Sequence, residues 1–238
     1  MSALYLIRHA QAGPRHKYDQ LSDLGREQAR RLGEYFASQP VAFTSVYSGS
    51  LERQRLTAEA VQQAYRDRGV AFPEIQDDPL WNEFDLGDVY RALAEPLCRD
   101  DAEFGREYAE IMRSLDDENH VLHRNHNYCD IAVIRAWVAA RYAYSGESWQ
   151  AFRARVAQPL TTLSSHNSGE RIAVFTSATP ISLWVGRALG LDDSNIWRVA
   201  GVAYNTAITT LQVRDDDCRL FTFNGVPHLE QTALRTFR

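Results

Sequence analysis

Arg8 and His9 stand side by side directly after the apolar run Leu4–Ile7. Two other groups of polar residues hold similar places. Ser48 to Arg53 follow the run Phe43–Tyr47 and open a helical pattern, and Ser177 to Thr179 follow the apolar run Ile172–Thr176. Arginine presents a planar fork of donors that stays charged at any working pH. Histidine supplies an imidazole whose two nitrogens differ as donor and acceptor. The formal net charge is -5 and no tail concentrates it, so any anion must be held by a local cluster of Arg and His rather than by the global field. Each segment alone has a plainer reading. Arg8 and His9 could end an ordinary strand, Arg53 could lie on a solvated helix face beside Arg55, and Ser177 could be small-residue packing.

The elements that would position these residues can be read from periodicity. Strands fit Leu4–Ile7, Phe43–Tyr47, Ala71–Gln76, Ile172–Thr176, Ala207–Val213 and Arg219–Phe223, the last two joined by a turn at Asp215, Asp216 and Asp217. Helices fit Ser22–Ser38 with Ser22 as N-cap, Leu51–Arg66, Ser148–Ser164, and a segment following Pro180 and stopping near Gly190. A charged stretch from about Asp88 to Tyr144 is mostly helical in pattern and carries Arg91, Arg99, Arg106, Arg113, Arg124, Arg135 and Arg141; Gly146 breaks it. Strands alternating with helices predict an α/β fold, a three-layer α/β/α sandwich with a mostly parallel central sheet. The expectation is a single domain over 1–238 with 88–145 as a helical cap insertion. In such open sheets ligands bind beyond the carboxyl ends of the strands, where all three polar segments fall.

Composition narrows the classes of function. Hydrophobic residues make up 45% and charged residues 24% of 238 positions, which suits a globular chain and excludes a disordered or fibrous one. With no basic patch and no long apolar run, neither a nucleic acid nor a membrane is an expected partner. Cys98, Cys129 and Cys218 are odd in number and widely spaced, which predicts a reducing compartment rather than a disulfide framework. The N-terminus lacks a secretory pattern, so a cytoplasmic location is expected. His120, His123 and His126 with Cys129 invite a metal reading, but steps of three drift around a helix and do not converge on one centre; a polar surface is the expectation, with no metal. Trp81, Trp137, Trp149, Trp184 and Trp197 read as packing.

Arg8-His9-Ala10-Gln11 after a strand resembles the Arg-His-Gly/Ala-Glu/Gln signature of the histidine phosphatase (phosphoglycerate mutase-like) superfamily. Leu21 to Ala29 is similar to the segment that follows it. Tyr47 to Arg53 with Thr57 and Ala58 resembles the second-arginine motif, and Glu83 with Gly87 the acid-bearing loop. Gly146-Glu147-Ser148 with Arg155-Val156, then Asn205 to Thr209, then Asn224 with His228-Leu229, resemble the remaining motifs. The matches keep the family order over nearly the whole chain.

The resemblance implies that His9 attacks phosphorus, that Arg8 and Arg53 clamp the transferring group, and that Glu83 serves as acid and base. These residue types suit phosphoryl transfer, which spreads negative charge over the equatorial oxygens. Neither a metal nor an organic cofactor is implied. The partner would be phosphate or a small phosphorylated substrate, with Gln11 and Arg15 at the pocket mouth and His228 structural. One departure stands out. Where the family reads Ser/Thr-His-Gly, this chain reads Thr176-Ser177-Ala178, so Ser177 takes the place of the second histidine. A hydroxyl can donate one hydrogen bond to phosphate but carries no charge, and loss of one preorganised donor costs roughly 2.7–4 kcal/mol. Three activities stay open: a phosphomonoesterase with reduced turnover, a non-catalytic phosphate or phospho-ligand binding protein, and a mutase, to whose acid loop Trp81-Asn82-Glu83 is faintly similar.

Overall fold

A computed structural model describes residues 1–13, 18–39, 41–114, 127–159, 169–214 and 217–237. The described residues fall into two compact units, one within Met1–Gly13, Lys17–Glu83 and Val156–Arg238, the other within Phe84–Arg155.

The first unit is built on a six-stranded mixed sheet. Its strands are β1 (Ser2–Arg8), β2 (Ser45–Ser48), β3 (Ile75–Asp77), β4 (Arg171–Thr176), β5 (Ile208–Arg214) and β6 (Asp217–Gly225). They lie in the order β3-β2-β4-β1-β5-β6. The pairs β1/β4, β2/β4 and β2/β3 are parallel, whereas β5 runs antiparallel to both β1 and β6. β4 therefore sits between β2 and β1, and the chain passes to opposite sides of this pair after β1 and after β4. The sheet's switch point lies where those two strands end.

Alternation along the strands loads both faces of the sheet. Ile7, Val46, Ala173, Phe175 and Ile208 join Leu32 and Phe36 of α1 (Asp23–Ser38) and Ala58, Val61 and Tyr65 of α2 (Glu52–Asp67) in one buried cluster. The alternate residues Leu4, Leu6, Ile172 and Val174 are equally buried. α7 (Ala178–Leu189) packs against β1 and β6. With helices over both faces, the α/β expectation holds.

Several local details differ from the sequence reading. α7 begins at Ala178, before Pro180, because a proline in a helix's first turn forfeits no helical hydrogen bond. It ends at Gly190, whose φ of 66° is left-handed. β3 is shorter than Ala71–Gln76 and lies at its C-terminal end. A helix absent from the sequence reading, α8 (Asp193–Ala200), follows α7, with the Asp192 carboxylate accepting from Asn195 N. Residues 160–164 of the expected Ser148–Ser164 helix, and Asp215 and Asp216 of the expected turn, lie outside the described residues.

The second unit, taken by itself, is helical. It holds α3 (Leu86–Asp100), α4 (Ala102–Arg113) and α5 (Tyr128–Val138), and α6 (Trp149–Ala157) begins within it. Asp101 ends α3 and caps α4, its Oδ1 accepting the N–H groups of Glu103 and Phe104 at 3.0 Å each. That junction divides what reads in sequence as one long helical region. Phe84 stacks on Trp137 with ring centroids 4.5 Å apart and meets Phe152 edge-on at 5.7 Å. Trp137 and Trp149 are buried with them.

Candidate active site

The end of β1 delivers His9. Its N–H donates to Thr176 O at 2.8 Å, extending the β1/β4 pairing one step past the Arg8–Thr176 register. His9 and Ser177 therefore leave the sheet next to each other. The His9 carbonyl accepts from Asn205 Nδ2 at 3.1 Å. The following residue, Ala10, donates its N–H to Thr57 Oγ1 at 3.0 Å, and the Thr57 hydroxyl donates to Arg53 O at 2.7 Å. One hydroxyl on α2 thus ties the loop carrying His9 to the turn carrying Arg53. Gly25, at the start of α1, permits a close approach from the other side, since a Cβ there would lie 2.1 Å from Gln11 O.

The imidazole of His9 is 2% exposed as part of its residue. Its Nδ1 lies 2.7 Å from Ala10 O, a group that can only accept, so Nδ1 carries the hydrogen. Nε2 is then a lone-pair nitrogen, and Arg53 Nε donates to it at 3.3 Å. Burial, and then the charges of Arg53 and Arg8, hold the ring well below the usual histidine range; the bond to Ala10 opposes this only in part. The ring is neutral at physiological pH.

Both guanidinium groups are buried. Arg8 donates from a terminal nitrogen to Ala203 O, while its Nε–H meets no acceptor among the described residues. Burial draws its pKa down, Tyr18 and Glu83 oppose that, and Arg53 adds to it. A buried, unpaired guanidinium donor is costly unless an acceptor meets it. Arg53 donates to Asp19 Oδ1 at 2.8 Å and stands 4.9 Å over the ring of Tyr18. The other oxygen of Asp19 accepts the first N–H of α2, from Glu52, at 3.0 Å.

Glu83 follows a 3-10 turn at Pro79–Trp81 that is pinned to the sheet. The Thr176 hydroxyl donates to Trp81 O, and Trp81 stacks on Trp184 of α7 with centroids 5.5 Å apart. One carboxylate oxygen of Glu83 accepts Thr179 N at 3.1 Å, in the first turn of α7. Ser177, the N-cap of α7, makes no side-chain capping bond. Its Oγ accepts instead from Gln54 Nε2 at 2.8 Å.

Arg8, His9, Arg53, Glu83 and Ser177 thus gather where β1 and β4 end. Gln11 is tied elsewhere: its Oε1 accepts from Ser22 Oγ at 2.7 Å, and its N–H donates to Gln28 Oε1 at 2.9 Å. Arg15, His120, His123, Arg124 and His126 lie outside the described residues. Among the described residues the only other histidine is His228, which faces Thr206 Oγ1 at 2.8 Å and is held by burial down to about 4. Also among them, no group of His, Cys, Asp and Glu could hold a metal, and no helix is long and apolar enough to cross a membrane. The sequence reading missed Gln54, Tyr18 and Asp19. Adjacency to Arg53 was the one signal for Gln54; nothing in spacing marks Tyr18 or Asp19.

The family model described as histidine phosphatase superfamily (branch 1) matches residues 4–225. The chain belongs to that superfamily. Among curated proteins it is similar to the mitochondrial serine/threonine-protein phosphatase Pgam5 of Caenorhabditis elegans, 24% identical over 148 residues, with 61% of this chain and 52% of that protein covered. The chain spans about half the length of the curated relatives it matches. Two solved structures share the fold. YhfR of Bacillus stearothermophilus gives a TM-score of 0.65 at 19% identity over 97% of this chain and 100% of the other. The alpha-ribazole phosphatase of Shigella flexneri gives 0.63 at 23% identity over 94% and 96%.

Proposed function

We propose that this superfamily member hydrolyses small phosphomonoesters through a phosphohistidine on His9. One observation carries the reading. His9 is a buried, neutral imidazole whose Nδ1 is fixed on Ala10 O, leaving Nε2 as a lone pair directed at a guanidinium. A nucleophile of this kind needs no deprotonation before it attacks.

In this reading the phosphoryl oxygens take the place of His9 Nε2 as acceptors for Arg53 and meet the unpaired Nε–H of Arg8. The two arginines then balance charge that grows in the transition state. Nε2 bonds to phosphorus as the ester P–O bond breaks, and Glu83 in its acid form gives the leaving oxygen its proton. A water molecule next attacks phosphorus, Glu83 takes the water's proton, the P–N bond breaks, and phosphate departs with the Nε2 lone pair restored. Asn205 and Thr57 hold the loop in place for both steps.

The neutral Ser177–Gln54 pair favours a second reading, a phosphate-binding protein without turnover, because in this reading the pair occupies the position of the family's second histidine. Hydrolysis of p-nitrophenyl phosphate by the wild type and His9→Ala separates the two. The hydrolase reading expects release of nitrophenol that His9→Ala abolishes, and an acid-labile phosphoryl group trapped on the wild type alone. Equal rates in the two proteins would sink it. An inert wild type that still binds phosphate would establish the second reading.

A further inference from the structure

Gln54 is wedged between three elements. Its residue is 0% exposed, yet its Oε1 has no hydrogen-bond partner among the described residues. That oxygen packs on the backbone of Gly49, where a Cβ would lie only 2.0 Å away. The other end of the amide, Nε2, faces Ser177 Oγ at 2.8 Å and Trp81 O at 3.5 Å. A carbonyl can only accept, so the amide must keep nitrogen on the Trp81 side; the flipped rotamer would set two acceptors against each other. The orphaned oxygen is the cost of that orientation.

The orientation has a consequence for Ser177. With the Gln54 amide donating, one lone pair of the Ser177 hydroxyl is taken and its hydrogen cannot point back at Gln54. Ser177 Oγ accepts no capping N–H in α7, and among the described residues the hydroxyl hydrogen meets no acceptor. Ser177 leaves β4 beside His9, and Gln54 follows Arg53, which bonds His9. We propose that Gln54 is a positioning residue that polarises the Ser177 hydroxyl and holds it as a donor toward a phosphoryl oxygen bound beside His9. The two side chains work as one neutral donor, and neither serves without the other. The inference rests on the phosphate-binding reading of the site but not on turnover.

A double-mutant cycle over Gln54→Leu and Ser177→Ala tests it, since coupled residues lose the same interaction only once. With p-nitrophenyl phosphate, each single variant is expected to lower kcat about tenfold, the loss of one hydrogen bond to a charged group. KM should stay within about twofold, and the double variant should fall no further than either single one. Losses that multiply in the double variant would overturn the proposal, and so would a wild-type kcat in either single variant. Gln54→Met, which also fills the space without an amide, replaces Gln54→Leu should that variant not fold. If the wild type turns over no faster than His9→Ala, the hydrolase reading fails separately, and the cycle is read on orthovanadate affinity by calorimetry. The same non-multiplying losses would support the coupled donor; additive losses or none would reject it.

Discussion

The two sides of His9 differ in kind. On one side stand Arg8 and Arg53, charged, buried, and with one donor, Arg8 Nε–H, unpaired among the described residues. On the other stand Ser177 and Gln54, equally buried, neutral, and bonded to each other. Permanent charge next to an imidazole keeps that imidazole neutral and attracts an anion without any proton being gained or lost. A neutral hydroxyl does neither; it can only aim a hydrogen that another group has oriented. In the proposed reading, one side sets whether phosphate enters and whether Nε2 is available, and the other adjusts how well the transferring oxygens are held.

The comparison breaks most visibly at Arg53. Arg53→Ala removes a charged donor that also contacts His9, and a lost preorganised donor of this type costs roughly 2.7–4 kcal/mol, or about 10²–10³ in kcat. Steady-state rates on p-nitrophenyl phosphate check it. A loss as small as that of Ser177→Ala would erase the distinction between the two sides.

Burial alone can be separated from arginine proximity by comparing His9 with His228. His228 is pushed down to about 4 by burial with no arginine involved, and His9 is lowered by burial with both arginines. In each case the folded protein binds a proton less readily than the unfolded chain. The stability involved is thus present above the unfolded value near 6.5 and is lost as pH falls through it. For His228 the window runs from about 6.5 to about 4 and corresponds to about 3 kcal/mol. Thermal melting across that range should fall less steeply in His228→Gln than in wild type. An equal fall in both would mean that His228 titrates alike in the folded and the unfolded chain. For His9, the acid limb of kcat/KM should lie well below 6.5, once the ionisation of the substrate itself is allowed for.

What could be read in the sequence follows the same division. Arg8, His9 and Arg53 sit at strand ends and a helix start, places that periodicity locates, and their residue types declare their chemistry. The buried strands and the Ser22 cap of α1 were legible for the same reason: each is a local pattern. Gln54 was not, because its role depends on a partner 123 positions away and on a carbonyl in a third segment. Asp19 was hidden likewise, meeting Arg53 from a loop 34 positions earlier. The break at Asp101 was missed because an aspartate that caps one helix and ends another looks, in sequence, like one more charge in a charged run.

The neutral side can be converted. Ser177→His alone must fit an imidazole where the Gln54 amide already lies between Ser177 and Gly49, so it should gain nothing in kcat. Combined with Gln54→Ala, which clears that space, it should raise kcat by about 10², the lower end of the range for one restored transition-state donor. Equal gains in the single and double variants would show that Gln54 does not occupy the position. The neutral pair would then be a bystander rather than a substitute.

The smallest effect expected is at Gln11, which the sequence placed at the pocket mouth and the structure bonds to Ser22. Since Ser22 Oγ both donates to Gln11 Oε1 and accepts from Gly25 N, Gln11→Ala loosens the entry to α1 rather than a ligand contact. Loss of one part-buried hydrogen bond costs about 1 kcal/mol, a shift of a few degrees in Tm for a chain of this size. KM for p-nitrophenyl phosphate should not change. A raised KM with an unchanged Tm would instead put the Gln11 amide on the substrate. It would also extend the charged side of the site by one neutral donor, so that the contrast across His9 would no longer be one of charge alone.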